Sequence, residues 1–176
     1  MARYPKFSRN LTLPEQLQPE DAVAPLGYHI CSVDAKGRLK IPAAFLRYMG
    51  ALGSQFFLTS SDELDIQIYS REAFVKQCAF LEQLALDANS QDDAEDTLFR
   101  MKDLGDDVSP DTDGRVHLPQ VLRQRLGITE LPASCQMGKD RDHLVVMTAT
   151  RYEAMREKGR AKPAESAKRM RLAGLR

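Results

Sequence analysis

The stretch SVDAKGRLKIP, Ser32 to Pro42, returns 77 positions later as SPDTDGRVHLP, Ser109 to Pro119. Four residues keep their offsets: Asp34 and Asp111, Gly37 and Gly114, Arg38 and Arg115, Pro42 and Pro119. An aspartate opens a tight turn through its own side chain, and a glycine three residues on supplies the positive φ that other side chains resist. The residues that follow alternate between faces. Leu39 and Ile41 share one face and Arg38 and Lys40 the other, as do Val116 and Leu118 against Arg115 and His117. Each copy therefore predicts a hairpin corner whose apolar side enters a core and whose basic side leaves it.

The repeat extends outward from this corner. A short amphipathic segment ending in glycine follows each proline, PAAFLRYMG at 42–50 and PQVLRQRLG at 119–127. Proline suits the first turn of a helix and glycine the position just past its end, so two helices of about two turns are predicted. Phe45 and Met49 align with Leu122 and Leu126, four residues apart on one face. SQFFLTSSDELDIQIYS at 54–70 and ASCQMGKDRDHLVVMTAT at 133–150 each read as two strands about a turn, placed at Gly138–Asp142 in the second. Asp62 aligns with Asp140, Ile66 with Leu144 and Tyr69 with Met147. A helix start closes each copy, with Ser70 as N-cap in the first and either Thr148 or Thr150 in the second.

A unit of about 45 residues is near the size at which a domain cannot bury enough apolar surface alone. Two copies interleaved into one barrel solve that problem and remove the strand edges that a lone unit exposes. The fold class expected is therefore α+β, mainly a β-barrel with helices, built from tandem swapped-hairpin units about a pseudo-two-fold axis. Its parts are an N-terminal extension at 1–26, a first repeat at 27–76, an acidic helical connector at 77–104, a second repeat at 105–152 and a basic helix and tail at 153–176. The extension, with Pro5, Pro14, Pro19 and Pro25, is expected to be disordered or loosely packed. In the connector region Phe74, Cys78, Leu81 and Leu84, then Ala94, Leu98 and Met101, recur three or four apart around a break at Asn89–Ser90. Two helices follow from that spacing, which cover the barrel or pack on a neighbour, with Cys78 as a core residue.

Lysine and arginine number 25, and so do aspartate and glutamate, but they are unevenly placed. Gln77–Pro110 holds nine acidic and two basic residues, a net of −7, and Arg151–Arg176 nine basic and three acidic, a net of +6. Such separation suits a head-to-tail assembly, in which two different surfaces meet. The tail also reads as a phosphate clamp through Lys168, Arg169 and Arg171, or as a solvated terminus.

Chemistry of the enzymatic kind finds little support. Cys31, Cys78 and Cys135 form no CxxC pair, and His29, His117 and His143 stand at no metal-ligand spacing. His29 and Cys31 share a strand face, but two ligands do not make a site. The acidic run Asp92–Asp96 lacks the glycine of a calcium loop. With no glycine-rich phosphate loop and no nucleophile beside a patterned base, no catalytic residue, metal or cofactor is expected. No apolar run reaches the roughly 18 residues of a membrane span. A reduced, cytoplasmic protein is the expectation.

A D-x-[KQ]-G-R-x-x-x-P pattern at 34–42 and its second copy at 111–119, which departs from it only at Asp113, each followed by a short helix and a hairpin, resemble the MraZ family over roughly Gly27–Lys158. The resemblance implies two AbrB-like units in one chain and a bacterial, nucleoid-associated regulator of the division and cell-wall gene cluster. It also implies a ring-shaped homo-oligomer that binds short direct repeats in promoter double-stranded DNA, one protomer per repeat, with no small-molecule substrate. The DNA-binding positions it indicates are Lys36, Gly37 and Arg38, with Lys40 on the same outward face, and Gly114 and Arg115. Asp34, Pro42, Asp111 and Pro119 shape the turns. Asp113 stands where the first copy has Lys36, so the first turn is expected to make the stronger contact. The rival reading is an AbrB-like interaction or assembly scaffold, antitoxin-like, with the arginines at a protein interface.

Overall fold

The computed structural model describes residues 23–161 and 163–174. The first 22 residues of the expected extension therefore lie outside the described residues, as do Lys162 and the last two positions of the tail. In chain order the elements are β1 (His29–Val33), β2 (Arg38–Lys40), α1 (Ala43–Leu52), β3 (Phe56–Thr59), β4 (Ile66–Ser70), α2 (Arg71–Leu84) and α3 (Gln91–Leu104). The second half follows with β5 (Asp106–Val108), β6 (Arg115–His117), α4 (Gln120–Arg125), β7 (Ala133–Asp140), β8 (His143–Thr148), α5 (Ala149–Arg160) and α6 (Pro163–Leu172).

The eight strands form one sheet in the order β5-β3-β4-β8-β7-β1-β2-β6. Every pairing is antiparallel. Its two end strands, β5 and β6, are joined through the second turn, where the Asp111 N–H donates to the Arg115 carbonyl at 2.8 Å. The sheet thus curls into a nearly closed barrel. The halves interdigitate as the repeat predicts: the β1–β2 hairpin sits between β7 and β6, and β3–β4 between β5 and β8.

Register locates the pseudo-two-fold axis. In the β2–β6 ladder Arg38 faces His117, Leu39 faces Val116 and Lys40 faces Arg115. In the β4–β8 ladder Ile66 faces Val146, Gln67 faces Val145 and Ile68 faces Leu144. Exchanging the repeats maps each ladder onto itself, so the axis passes through the Leu39–Val116 and Gln67–Val145 pairs. The symmetry weakens at Pro110, the counterpart of Val33. Proline has no N–H to contribute to a ladder, and β3–β5 pairing stops at Val108 whereas β1–β7 pairing continues to Val33.

The alternation read from the sequence places the core. Leu39, Ile41, Val116 and Leu118 are fully buried with Phe45, Met49, Leu122, Ile66, Ile68 and Val146. Burying a side chain such as Phe45 contributes about 1.5–3 kcal/mol. A second cluster of Tyr69, Leu81 and Met101, flanked by Phe74, Leu84 and Leu98, fixes the α2–α3 pair to the barrel. Phe74 stacks on Phe57 of β3 at 3.9 Å, and Thr59 Oγ1 donates to the Met101 carbonyl at 2.6 Å, satisfying one orphan acceptor at the end of α3. Ser70 and Thr148 cap α2 and α5, each accepting from the backbone N–H three residues on.

Several local expectations are corrected. Pro42 and Pro119 are the N-cap residues with extended ψ, one position before the first helical turn. Gly127 does follow the end of α4, with φ +69, but Gly50 does not end α1. That helix runs on to Leu52, because the buried Tyr48 and Met49 hold its last turns to the core, and it stops at Gly53, whose N–H donates to the Met49 carbonyl. The β7–β8 turn is only Arg141–Asp142, and Gly138 lies within β7 beneath the Tyr28 ring. Cys78 is half-buried on the flank of α2, outside the main core.

Candidate nucleic-acid interface

The two turns are built alike. Asp34 Oδ1 accepts from the Lys36 and Arg38 N–H groups at 2.9 and 3.0 Å, and Asp111 Oδ1 from those of Asp113 and Arg115 at 2.9 and 2.8 Å. Gly37 and Gly114 have φ +76 and +69 and donate to the Asp34 and Asp111 carbonyls. An aspartate that gathers two backbone N–H groups and a residue free to adopt positive φ are what such a corner needs.

Each turn is then gripped by the other half. The Ile41 N–H donates to the Gly114 carbonyl, and the Leu118 N–H to the Gly37 carbonyl, both at 3.0 Å. The Arg123 side chain of α4 lies over Gly37 and the Leu46 side chain of α1 over Gly114, and both glycines are buried. The corners are thereby brought side by side at one end of the barrel.

Their outward face is a two-by-two array of basic side chains, Arg38 beside His117 and Lys40 beside Arg115, on the side of the ladder away from Leu39 and Val116. Like charges directly opposite in a sheet repel, as those of Lys40 and Arg115 do, and three turn carboxylates offset the cations of the array. Asp34 Oδ2 accepts from Arg38 Nε at 2.9 Å and lies 2.8 Å from Nη2. Across the turns, Arg38 Nη1 is 3.6 Å from Asp111 Oδ2 and Arg115 Nε is 3.9 Å from Asp34 Oδ2. Arg115 Nη1 also pairs with Asp113, whose carbonyl accepts from Lys40 Nζ. The Asp34 carboxyl is held below the usual carboxylate range, chiefly by the Arg38 backbone N–H, and that of Asp111 chiefly by the Arg115 N–H.

The Arg38 and Arg115 side chains are 33% and 28% exposed, so each is tied to carboxylates on one side and open to solvent on the other. Lys36 is exposed at the tip of the first turn, and Lys40 is exposed along β2. The arrangement offers an approaching anion a small cationic surface whose present counter-charges are its own aspartates. Arg123 was not singled out from the sequence. The signal was available: at the aligned position the first copy has the apolar Leu46, so a cation in one repeat stands where the other has a packing residue. Among the described residues no group of three or more histidine, cysteine, aspartate or glutamate side chains could hold a metal, and no helix is long and apolar enough to cross a membrane.

No protein-family model matches the chain. Two curated proteins do. The transcriptional regulator MraZ of Acidobacterium capsulatum is 39% identical over 104 residues, covering 58% of this chain and 69% of that protein. The transcriptional regulator MraZ of Gluconacetobacter diazotrophicus is 29% identical over 119 residues, covering 65% of this chain and 73% of that protein. The first of these likenesses spans most of its protein, and the duplicated turn and interleaved barrel agree with it: this chain belongs to the MraZ family.

Proposed function

We propose that this chain is a transcriptional regulator that binds double-stranded DNA through the paired turns. The observation that supports this most is the cationic array on the outer face of β2 and β6, held by backbone bonds that cross from one repeat to the other. DNA phosphates supply the bulk of such affinity, and arginine additionally reads guanine edges in the major groove, where a bidentate contact discriminates by about 1–3 kcal/mol. In this reading Lys36, Arg38, Lys40 and Arg115 meet the duplex. The buried Gly37 and Gly114, with Asp34, Pro42, Asp111 and Pro119, hold the corners in shape.

The first turn is the stronger contact. Lys36 and Arg123 add to Arg38 there, whereas Asp113 occupies the second turn and already pairs with Arg115. One protomer offers few contacts, so useful affinity comes from several sites engaged together. That favours a ring-shaped homo-oligomer on short direct repeats in a promoter, one protomer per repeat, at the division and cell-wall gene cluster. Such a regulator works at the nucleoid in the cytoplasm, without a catalytic step, cofactor or small-molecule substrate. The working units are the repeats at 27–76 and 105–152, joined by the connector at 77–104 and followed by the tail at 153–176.

A gel shift on the DNA upstream of the protein's own gene tests the reading with wild type and Arg38→Ala. A folded variant that has lost the shift supports it, and a folded variant that shifts like wild type counts against it. One observation favours a second reading: Arg38 already pairs with Asp34 and Asp111, as a structural tie between turns would. A scaffold of that kind forms its oligomer yet shifts no DNA as wild type, and Arg38→Ala unfolds it or loosens the turns.

A further inference from the structure

The helical additions to the two repeats are related by the pseudo-two-fold axis but differ in how they are covered. α2 leaves β4 and α5 leaves β8 at equivalent positions, each behind its hydroxyl cap. α3 folds back so that Ala94, Met101 and Leu104 are buried. α6, by contrast, has no buried residue along its ten positions. An isolated helix shorter than about 12–15 residues is marginal in water, and among the described residues α6 lacks the packing that would sustain it.

The exposed face of α3 has a matching need. Asp92, Asp96, Phe99 and Asp103 follow one another at spacings of four, three and four residues and so form one stripe. Phe99 is 72% exposed in the middle of it. Among the described residues, Asp92, Asp96 and Asp103 take part in no ion pair, and neither do Lys168, Arg169 and Arg171 of α6. One face of α6 carries Ala164, Lys168, Arg171 and Leu172, two cations flanked by apolar groups, with Leu172 82% exposed. The stripe from Asp92 to Asp103 is about 16 Å long and α6 about 15 Å at 1.5 Å per residue, so the two surfaces agree in length as well as in charge.

We propose that α6 of one copy docks along the Asp92–Asp103 stripe of α3 in the next copy. Lys168 and Arg171 face the aspartates, and Leu172 covers Phe99. α3 packs on α2 and β3 in the first half of the chain, and α6 follows α5 in the second, so the contact joins two different surfaces and propagates from copy to copy. It rests on the homo-oligomer of the proposed function and names the surface that holds it together. A phosphate backbone is the competing occupant of the basic helix, and the test separates the two.

Solution mass is measured by light scattering at low salt for four full-length proteins: wild type, Asp92→Lys/Asp96→Lys/Asp103→Lys, Lys168→Glu/Arg169→Glu/Arg171→Glu, and the combination of both sets. Each single set is expected to lower the mass toward one protomer and the combination to restore it, because the charges are exchanged rather than lost. Wild-type mass in both single sets overturns the docking and leaves the oligomer intact. A monomeric wild type overturns docking and oligomer together. Loss of duplex binding in the tail variant at unchanged mass also overturns it and assigns the helix to DNA. Should the reversed stripe fail to fold, zero-length carbodiimide coupling of mixed nitrogen-14 and nitrogen-15 wild-type protein decides instead. Mixed-isotope cross-links from Lys168 to Asp92, Asp96 or Asp103 are expected, and their absence in an assembled sample overturns the contact.

Discussion

Arg38 in the first turn reaches Asp111 in the second, with Nη1 3.6 Å from Oδ2, and the partner relationship returns as Arg115 Nε 3.9 Å from Asp34 Oδ2. The repeats therefore share charges as well as strands. Each arginine stands between a carboxylate of its own corner and one of the other, with its remaining side toward solvent. An anion that arrives from outside competes with those carboxylates, which makes the array responsive to what it binds and to pH.

Arg38→Lys separates charge from geometry. Lysine keeps the cation but loses the planar fork that reads a guanine edge. Binding to non-specific duplex should change little, while the preference for the promoter repeats falls by roughly ten-fold or more, in line with one bidentate contact. Competition binding with specific and scrambled duplexes at one salt concentration measures both.

Asp113→Lys makes the second turn resemble the first. It removes the carboxylate that now occupies Arg115 and adds a cation at the turn. Duplex affinity should rise, and the slope of log affinity against log salt should steepen by about 1–2, as expected when one or two more phosphates are neutralised. A salt titration followed by fluorescence anisotropy checks this, and an unchanged slope would place the second turn away from the phosphates.

Gly114→Ala should cost more stability than Gly37→Ala. Both positions hold positive φ, which costs an L-residue about 1–2 kcal/mol. At Gly37 the new methyl meets the end of the Arg123 side chain at 2.9 Å, and that chain can swing toward solvent. At Gly114 it meets Leu46 Cδ1 at 2.3 Å, and Leu46 is packed against the core. Urea unfolding of the two variants gives the ordering directly.

Acid should loosen the corners. The Asp34 and Asp111 carboxyls titrate below their ordinary value when folded, chiefly through backbone N–H donors. Groups with depressed folded values contribute stability that is complete above the unfolded value, near 4, and is lost as pH falls through the folded one. Wild type should therefore lose thermal stability below about pH 4 faster than Asp34→Asn/Asp111→Asn, which has no such carboxylates to protonate. Melting temperatures from pH 3 to 7 for both proteins provide the comparison.

The parts of the fold that were readable in the sequence are those whose cause is local. An aspartate that bonds its own following N–H groups, a glycine at positive φ and an alternation of Leu39, Ile41, Val116 and Leu118 act within a few residues, and the hydroxyl caps Ser70 and Thr148 likewise. What was not readable depends on packing. Gly50 looked like a stop, but the contacts of Tyr48 and Met49 carry the helix past it. Gly138 looked like a turn residue, but it makes room for Tyr28. Within the site, the outward direction of Arg38 and Arg115 followed from alternation, whereas their cross-pairing with Asp111 and Asp34 required the β2–β6 register, set by residues more than 70 positions apart.

The most direct measurement is duplex affinity of Arg38→Glu/Arg115→Glu beside wild type, on the DNA upstream of the protein's own gene, with circular dichroism showing both to be folded. The paired-turn account predicts that wild type binds with a steep loss of affinity in salt and that the double reversal abolishes binding without unfolding the barrel. A folded double reversal that binds with wild-type affinity and wild-type salt dependence would contradict it.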